Sequence, residues 1–79
     1  MTPEAIAKLL YSHLPDCRFT VEIDGNHCLV TAIGETFVGK KSVQRQQLIY
    51  RALKDPITEG NIHAVHMKIY TPDEWIEKA

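Results

Sequence analysis

Three side chains in this sequence have types and positions suited to metal chemistry: His27, Cys28 and His63. Imidazole is a good ligand for iron, zinc and copper, and thiolate suits zinc and iron-sulfur centres. Two histidines on one iron of a two-iron cluster have a precedent in Rieske-type ligation. Such a pair completes no cluster, so the remaining ligands would come from another molecule. His27 and Cys28 follow the turn Asp24-Gly25-Asn26, at the rim where a second strand begins. Turn chemistry asks for neither imidazole nor thiol there. The bland alternative is a buried His63 that hydrogen-bonds the backbone, beside a surface His27.

A second constellation is basic. Between Thr36 and Lys54 lie five cations, Lys40, Lys41, Arg45, Arg51 and Lys54, and no acid. Lys40 and Lys41 precede a helix, and Arg45 sits in its first turn. Cations there oppose the helix dipole, so an anion such as a phosphate would relieve the repulsion and accept free amides. A solvated basic face or a docking surface for an acidic protein accounts for the same residues. Arg45 falls on the apolar stripe of its helix and needs a partner, reaching past the rim of the sheet to find one. Catalysis is harder to assemble. The chain offers no Ser-His-Asp order, no paired carboxylates and no Walker loop, and it is expected not to be an enzyme. His13 and His66 read as surface residues, His66 sharing a face with Ala64 and Lys68.

The elements that position these groups follow from periodicity. Thr2-Pro3-Glu4 starts a helix with Ile6, Leu9, Leu10 and Leu14 on one face, and Pro15-Asp16 ends it. Cys17 to Ile23 alternates, placing Phe19, Val21 and Ile23 inward. The turn then leads to a strand from Leu29 to Ile33. A helix from about Ser42 to Lys54 turns Leu48, Ile49, Ala52 and Leu53 inward, and Pro56 and Gly60 allow only a short helical turn around Ile57. A third strand runs from Ile62 to Tyr70, with Val65, Met67 and Ile69 on its buried face; His63 has the same parity. It is long enough to be central, or parallel to one partner. Thr71, Pro72 and Glu74 then form a capping box that opens a last helix bearing Trp75. The order is α-β-β-α-(short turn)-β-α, an α+β domain over residues 1–79 with a three-stranded sheet and helices packed on one face.

Composition bounds the setting. The net charge of −1 excludes a generally basic nucleic-acid coat, and 44% hydrophobic residues suit a globular core. Cys17 and Cys28 lack the Cys-x-x-Cys spacing of a redox or zinc motif, and no cleavable signal or membrane-length apolar run is legible. A cytoplasmic protein with reduced thiols is the expectation, with no membrane association.

Ile62-His63-Ala64 followed by Thr71-Pro72-x-Glu74-Trp75 resembles the C-terminal signature of the BolA family, near its IbaG-like branch. The likeness extends upstream through Phe37-x-Gly39 and the basic helix, and so covers most of the chain. It implies a fold related to the second type of KH domain, and a monothiol glutaredoxin as partner in a heterodimer bridged by a 2Fe-2S cluster. The isolated chain, a monomer or weak homodimer, would hold no cofactor. BolA proteins carry a His or Cys between the first two strands and a His beginning the third; His27, with Cys28 as the alternative, matches the first position and His63 the second. The function implied is iron-sulfur cluster trafficking or iron and stress regulation. The rival is a KH-like DNA-binding regulator acting weakly through Lys40, Lys41, Arg45 and Arg51, although Ser42 replaces the second glycine of the KH Gly-x-x-Gly clamp.

Overall fold

The structure is a computed structural model that describes residues 2–78. The first helix, α1 (Pro3–His13), is capped by Thr2, whose Oγ1 accepts from the Ala5 amide at 3.2 Å, and Pro3 occupies the first turn, where no N–H is needed. A hairpin of β1 (Arg18–Asp24) and β2 (His27–Ile33) follows. A single 3₁₀ turn (Glu35–Phe37), α2 (Ser42–Ala52) and a five-residue α3 (Lys54–Thr58) carry the chain to β3 (Ala64–Tyr70) and then α4 (Pro72–Lys78). The expected order is therefore the observed one, with α3 as the short helical turn. Lys54 opens α3 instead of closing α2, because the backbone leaves helical geometry at Leu53 (φ −103°, ψ 12°). Pro56 is tolerated in α3 because its missing N–H falls in the first turn.

The sheet has the order β1-β2-β3, with β1 antiparallel to β2 and β2 parallel to β3. β2 is thus the central strand and β3 an edge. The parallel pairing requires a crossover, which α2 and α3 supply. Register puts Phe19 opposite Ala32, Val21 opposite Val30 and Ile23 opposite Cys28, then Cys28, Val30 and Ala32 opposite Val65, Met67 and Ile69. This face is covered by Ile6 and Leu10 of α1 and by Ile49 and Ala52 of α2, and Leu53 closes the core. Phe37, fully buried, anchors the connection from β2, and two residues later Gly39 turns at φ +76°, a conformation that β-carbon sterics disfavour, to aim the chain into α2. The Phe37-x-Gly39 spacing is the sequence trace of that anchor and turn.

α4 lies outside the helical layer, and none of its residues is buried. Its start is the expected capping box: Thr71 Oγ1 accepts from the Glu74 amide at 3.2 Å, and Glu74 Oε1 accepts from the Thr71 amide at 2.8 Å. Trp75 leans on Tyr70, ring centroids 5.4 Å apart, while remaining 38% exposed. With Arg18, Ile33 and Pro72 it lines a cleft of about 400 Å³, so it touches the end of the sheet without being sealed against it. No helix among the described residues is long and apolar enough to cross a membrane.

Candidate metal centre at the sheet rim

Gly25 and Asn26 are the two-residue loop of the β1–β2 hairpin. Gly25 has φ +60° and Asn26 a negative φ, the pattern of a type II′ turn, which sets Asp24 directly opposite His27. β2 therefore starts at His27, two residues earlier than the sequence predicts. This settles the two candidates at its head differently. Alternation turns His27 outward, where it is exposed, and Cys28 inward, where it is fully buried against Val65 and Ile23. Burial pushes the Cys28 thiol up from 9.0, which disfavours the thiolate that a metal would need. Cys28 belongs to the core, and the expectation of a rim thiol is corrected accordingly. Cys17 is likewise buried and free, its thiol raised by burial and then by the Asp16 carboxylate.

His63 precedes β3, which begins at Ala64. It is exposed, although its parity suggested the buried face, because Ile62 takes the buried position at 2% exposure. The amides of His63 and Ala64 both donate to the Asn26 carbonyl, at 3.2 and 3.3 Å. That shared acceptor ties the hairpin tip to the entry of β3 and brings His27 and His63 to one rim, with Ala64 opposite His27 in register. The His63 imidazole has no hydrogen-bond partner among the described residues, which removes the bland reading of a buried, backbone-bonded histidine. An exposed pair of imidazoles at the heads of adjoining strands has the right donor chemistry for iron.

His66 is the residue that sequence reasoning passed over. It stands outward on β3, and its Nε2 lies 3.5 Å from Nδ1 of His27. The two rings are near parallel, at 11°, with centroids 5.7 Å apart. Because the centroids are so much farther apart than the facing nitrogens, the rings meet edge to edge and not face to face. Outward parity was legible for His66, whereas that of His27 depends on β2 starting directly after the turn. Their meeting depends on parallel register, which no local pattern encodes.

The basic segment is divided by the fold. Arg45 donates Nε to the Lys40 carbonyl at 3.0 Å, Nη1 to the Ile69 carbonyl at 3.3 Å, and both Nη1 and Nη2 to the Glu74 carboxylate at 2.8 and 3.3 Å. It does reach past the sheet rim, as its place on the apolar stripe demanded, but its charge is spent on α4. Gln44 Oε1 accepts from the Lys41 amide at 2.9 Å, satisfying one of the orphan donors at the start of α2. Lys40 lines a hollow of about 200 Å³ with Ser42, Gln46 and Met67, whereas Arg51 lines a separate one with Gln47, Tyr50 and Lys54.

A hairpin and a crossover strand in one mixed sheet, backed by α1 and α2, define a small α+β domain with exposed histidines at its rim. The model of the BolA-like protein family matches residues 10–74, and the chain belongs to that family. The acid stress protein IbaG of Escherichia coli K12 is 48% identical over 75 residues, covering 95% of this chain and 89% of the relative. An uncharacterized protein of Buchnera aphidicola from Acyrthosiphon pisum is 41% identical over 75 residues, covering 95% and 94%. Among solved structures, a BolA homologue from Coxiella burnetii superposes with a TM-score of 0.82 at 32% identity, covering 96% of this chain and 97% of that one. The BolA domain of SufE1 from Arabidopsis thaliana gives 0.80 at 30% identity, covering 91% and 93%.

Proposed function

We propose that this chain is an adaptor that binds a monothiol glutaredoxin and shares a 2Fe-2S cluster with it, in iron-sulfur cluster trafficking or iron and stress regulation. The observation that carries the reading is the joint display of His27 and His63 at one rim, both exposed and tied together through the Asn26 carbonyl. Two imidazoles are half of a four-ligand set, and among the described residues no group of three or more metal-binding side chains is assembled. Thiolates from the partner and its glutathione would supply the other half. His27 and His63 would hold the chain's share of the cluster, which is the cargo of the complex and its redox-active part. The rest of the domain keeps the rim in place: the hairpin turn fixes His27 and the Asn26 carbonyl fixes the backbone at His63. The name of the Escherichia coli relative, an acid stress protein, agrees with a role in stress.

The rival reading, a DNA-binding regulator, would use Lys40, Lys41, Arg45 and Arg51. Arg45 is occupied by Glu74, and Lys40 and Arg51 line separate hollows, which favours the adaptor.

The test is co-expression with candidate monothiol glutaredoxins, followed by iron analysis and visible and electron-paramagnetic-resonance spectra of the purified complex. His63→Ala is expected to abolish the heterodimeric spectrum and His27→Ala to alter it. Cys28→Ala should leave it unchanged, since the thiol faces the core. A wild-type spectrum from the His63→Ala complex, or absence of iron from every complex, refutes the reading.

A further inference from the structure

We propose that His27 and His66 form a second metal site, a two-imidazole chelate for a borderline divalent cation of the zinc, nickel and copper(II) class. It lies on the outward face of the sheet and needs no partner protein. The geometry of the facing nitrogens carries the inference. At 3.5 Å, Nδ1 of His27 and Nε2 of His66 stand at the outer edge of hydrogen-bonding distance, longer than the roughly 2.7–3.2 Å of a well-formed N–H···O bond. They match more closely the separation of roughly 3.4 Å between two imidazole nitrogens on a tetrahedral ion with bonds of about 2.0–2.1 Å. The rings meet edge to edge, so the ring-nitrogen axes converge on the space between them. Each lone pair must tip by roughly 35° to meet at a tetrahedral off-axis point, a turn that the outer side-chain torsion, broad for histidine, allows.

The surroundings suit a cation. Ala64, opposite His27 in register, leaves the space beside the pair clear of a bulky side chain. On β1, the exposed Asp24 faces His27 and the exposed Glu22 faces Leu29, whose parallel partner is His66. Both carboxylates are outward on the same face of the sheet, and Lys68, two residues beyond His66, is the nearest cation on that strand. No third ligand is in place among the described residues, so water would complete the shell and binding would be weaker and more exchangeable than at a four-ligand structural zinc site. The site differs from the rim pair in its second member, His66 instead of His63. Because His27 belongs to both, an ion bound here withdraws it from the rim. On the adaptor reading, surplus zinc or copper would therefore compete with cluster sharing.

The experiment is a titration of the isolated chain with zinc alone, in competition with a chromogenic chelator, for wild type, His27→Ala, His66→Ala, His66→Ser and His63→Ala. All the altered side chains are exposed, and thermal melting checks that each variant folds. Loss of either chelating imidazole is expected to weaken zinc binding by about tenfold or more, with His63→Ala staying within about twofold of wild type. Long-range nitrogen-15 spectra should show zinc shifting Nδ1 of His27 and Nε2 of His66. Undetectable binding by wild type, unchanged binding by the His66 variants, or a loss in His63→Ala equal to that in His66→Ala overturns the proposal. No iron or glutaredoxin is present in this titration, so its failure leaves the adaptor reading standing, and failure of the co-expression test leaves this site standing.

Discussion

Arg45 of α2 and Glu74 of α4 clasp each other through two parallel contacts, Nη1 to Oε1 at 2.8 Å and Nη2 to Oε2 at 3.3 Å. This fork joins the first turn of one helix to the first turn of another across the end of β3. Glu74 is also the capping residue that accepts from the Thr71 amide, so one carboxylate closes α4 and docks it. The Arg45 guanidinium, followed by the Thr71 amide, lowers its pKa from 4.5 to about 2.

The sign of the resulting pH dependence follows from that depression. A carboxylate whose pKa is lower folded than unfolded contributes stability that is fully present above about 4.5 and is lost as pH falls toward about 2. Glu74→Gln, which keeps the acceptor for Thr71 but removes the charge, should be less stable than wild type near pH 6. The difference should shrink between pH 4.5 and 2, as read by urea unfolding at a series of pH values. A constant difference across that window would show that the fork contributes nothing ionic.

Thr71→Ala removes the side-chain acceptor for the Glu74 amide at the start of α4. Loss of such a cap costs about 1 kcal/mol. Thermal melts should register the loss, and Trp75 fluorescence should shift to the red as α4 loosens from Tyr70.

Gly34 is required by space. A β-carbon built there would lie 2.5 Å from Sγ of Cys17 and 3.2 Å from its Cβ, inside a buried corner. Gly34→Ala should destabilise the fold by about 1–3 kcal/mol, the usual cost of overpacking. Adding Cys17→Ala removes the nearest clashing atom, so a double-mutant cycle should show partial rescue.

The two thiols should be silent in the native state. Burial raises both above 9.0, so alkylation at pH 8 should be slow until urea exposes them, when both react together with global unfolding. Fast native labelling of Cys28 would mean that the head of β2 opens on its own.

Nucleic-acid binding should be weak and lost with salt. With Arg45 engaged, the remaining cations of the basic segment, Lys40, Lys41, Arg51 and Lys54, offer at most about four phosphate contacts, so the slope of log K against log salt should be no steeper than about −4. Arg45→Gln should leave that slope unchanged while lowering the melting temperature. A steeper slope that falls on losing Arg45 would revive the regulator.

The local patterns of the sequence determined most of the architecture. Alternation in Arg18–Asp24 and Ala64–Tyr70, the helical spacing of Ile6, Leu10, Ile49 and Ala52, and the Thr71-Pro72-x-Glu74 cap each act over a few residues, where backbone periodicity and sterics suffice. They also showed that Arg45 needed a partner. Tertiary structure decided which partner, since Glu74 lies twenty-nine positions away and meets Arg45 only once β3 is docked. It likewise decided the fate of the metal-ligand candidates. A turn of two residues makes His27 the first residue of β2, and that choice of register alone sends Cys28 into the core and His27 out. The parallel pairing of β2 with β3 then sets His66 beside His27, a contact that depends on how α2 and α3 return the chain and on nothing within reach of either histidine.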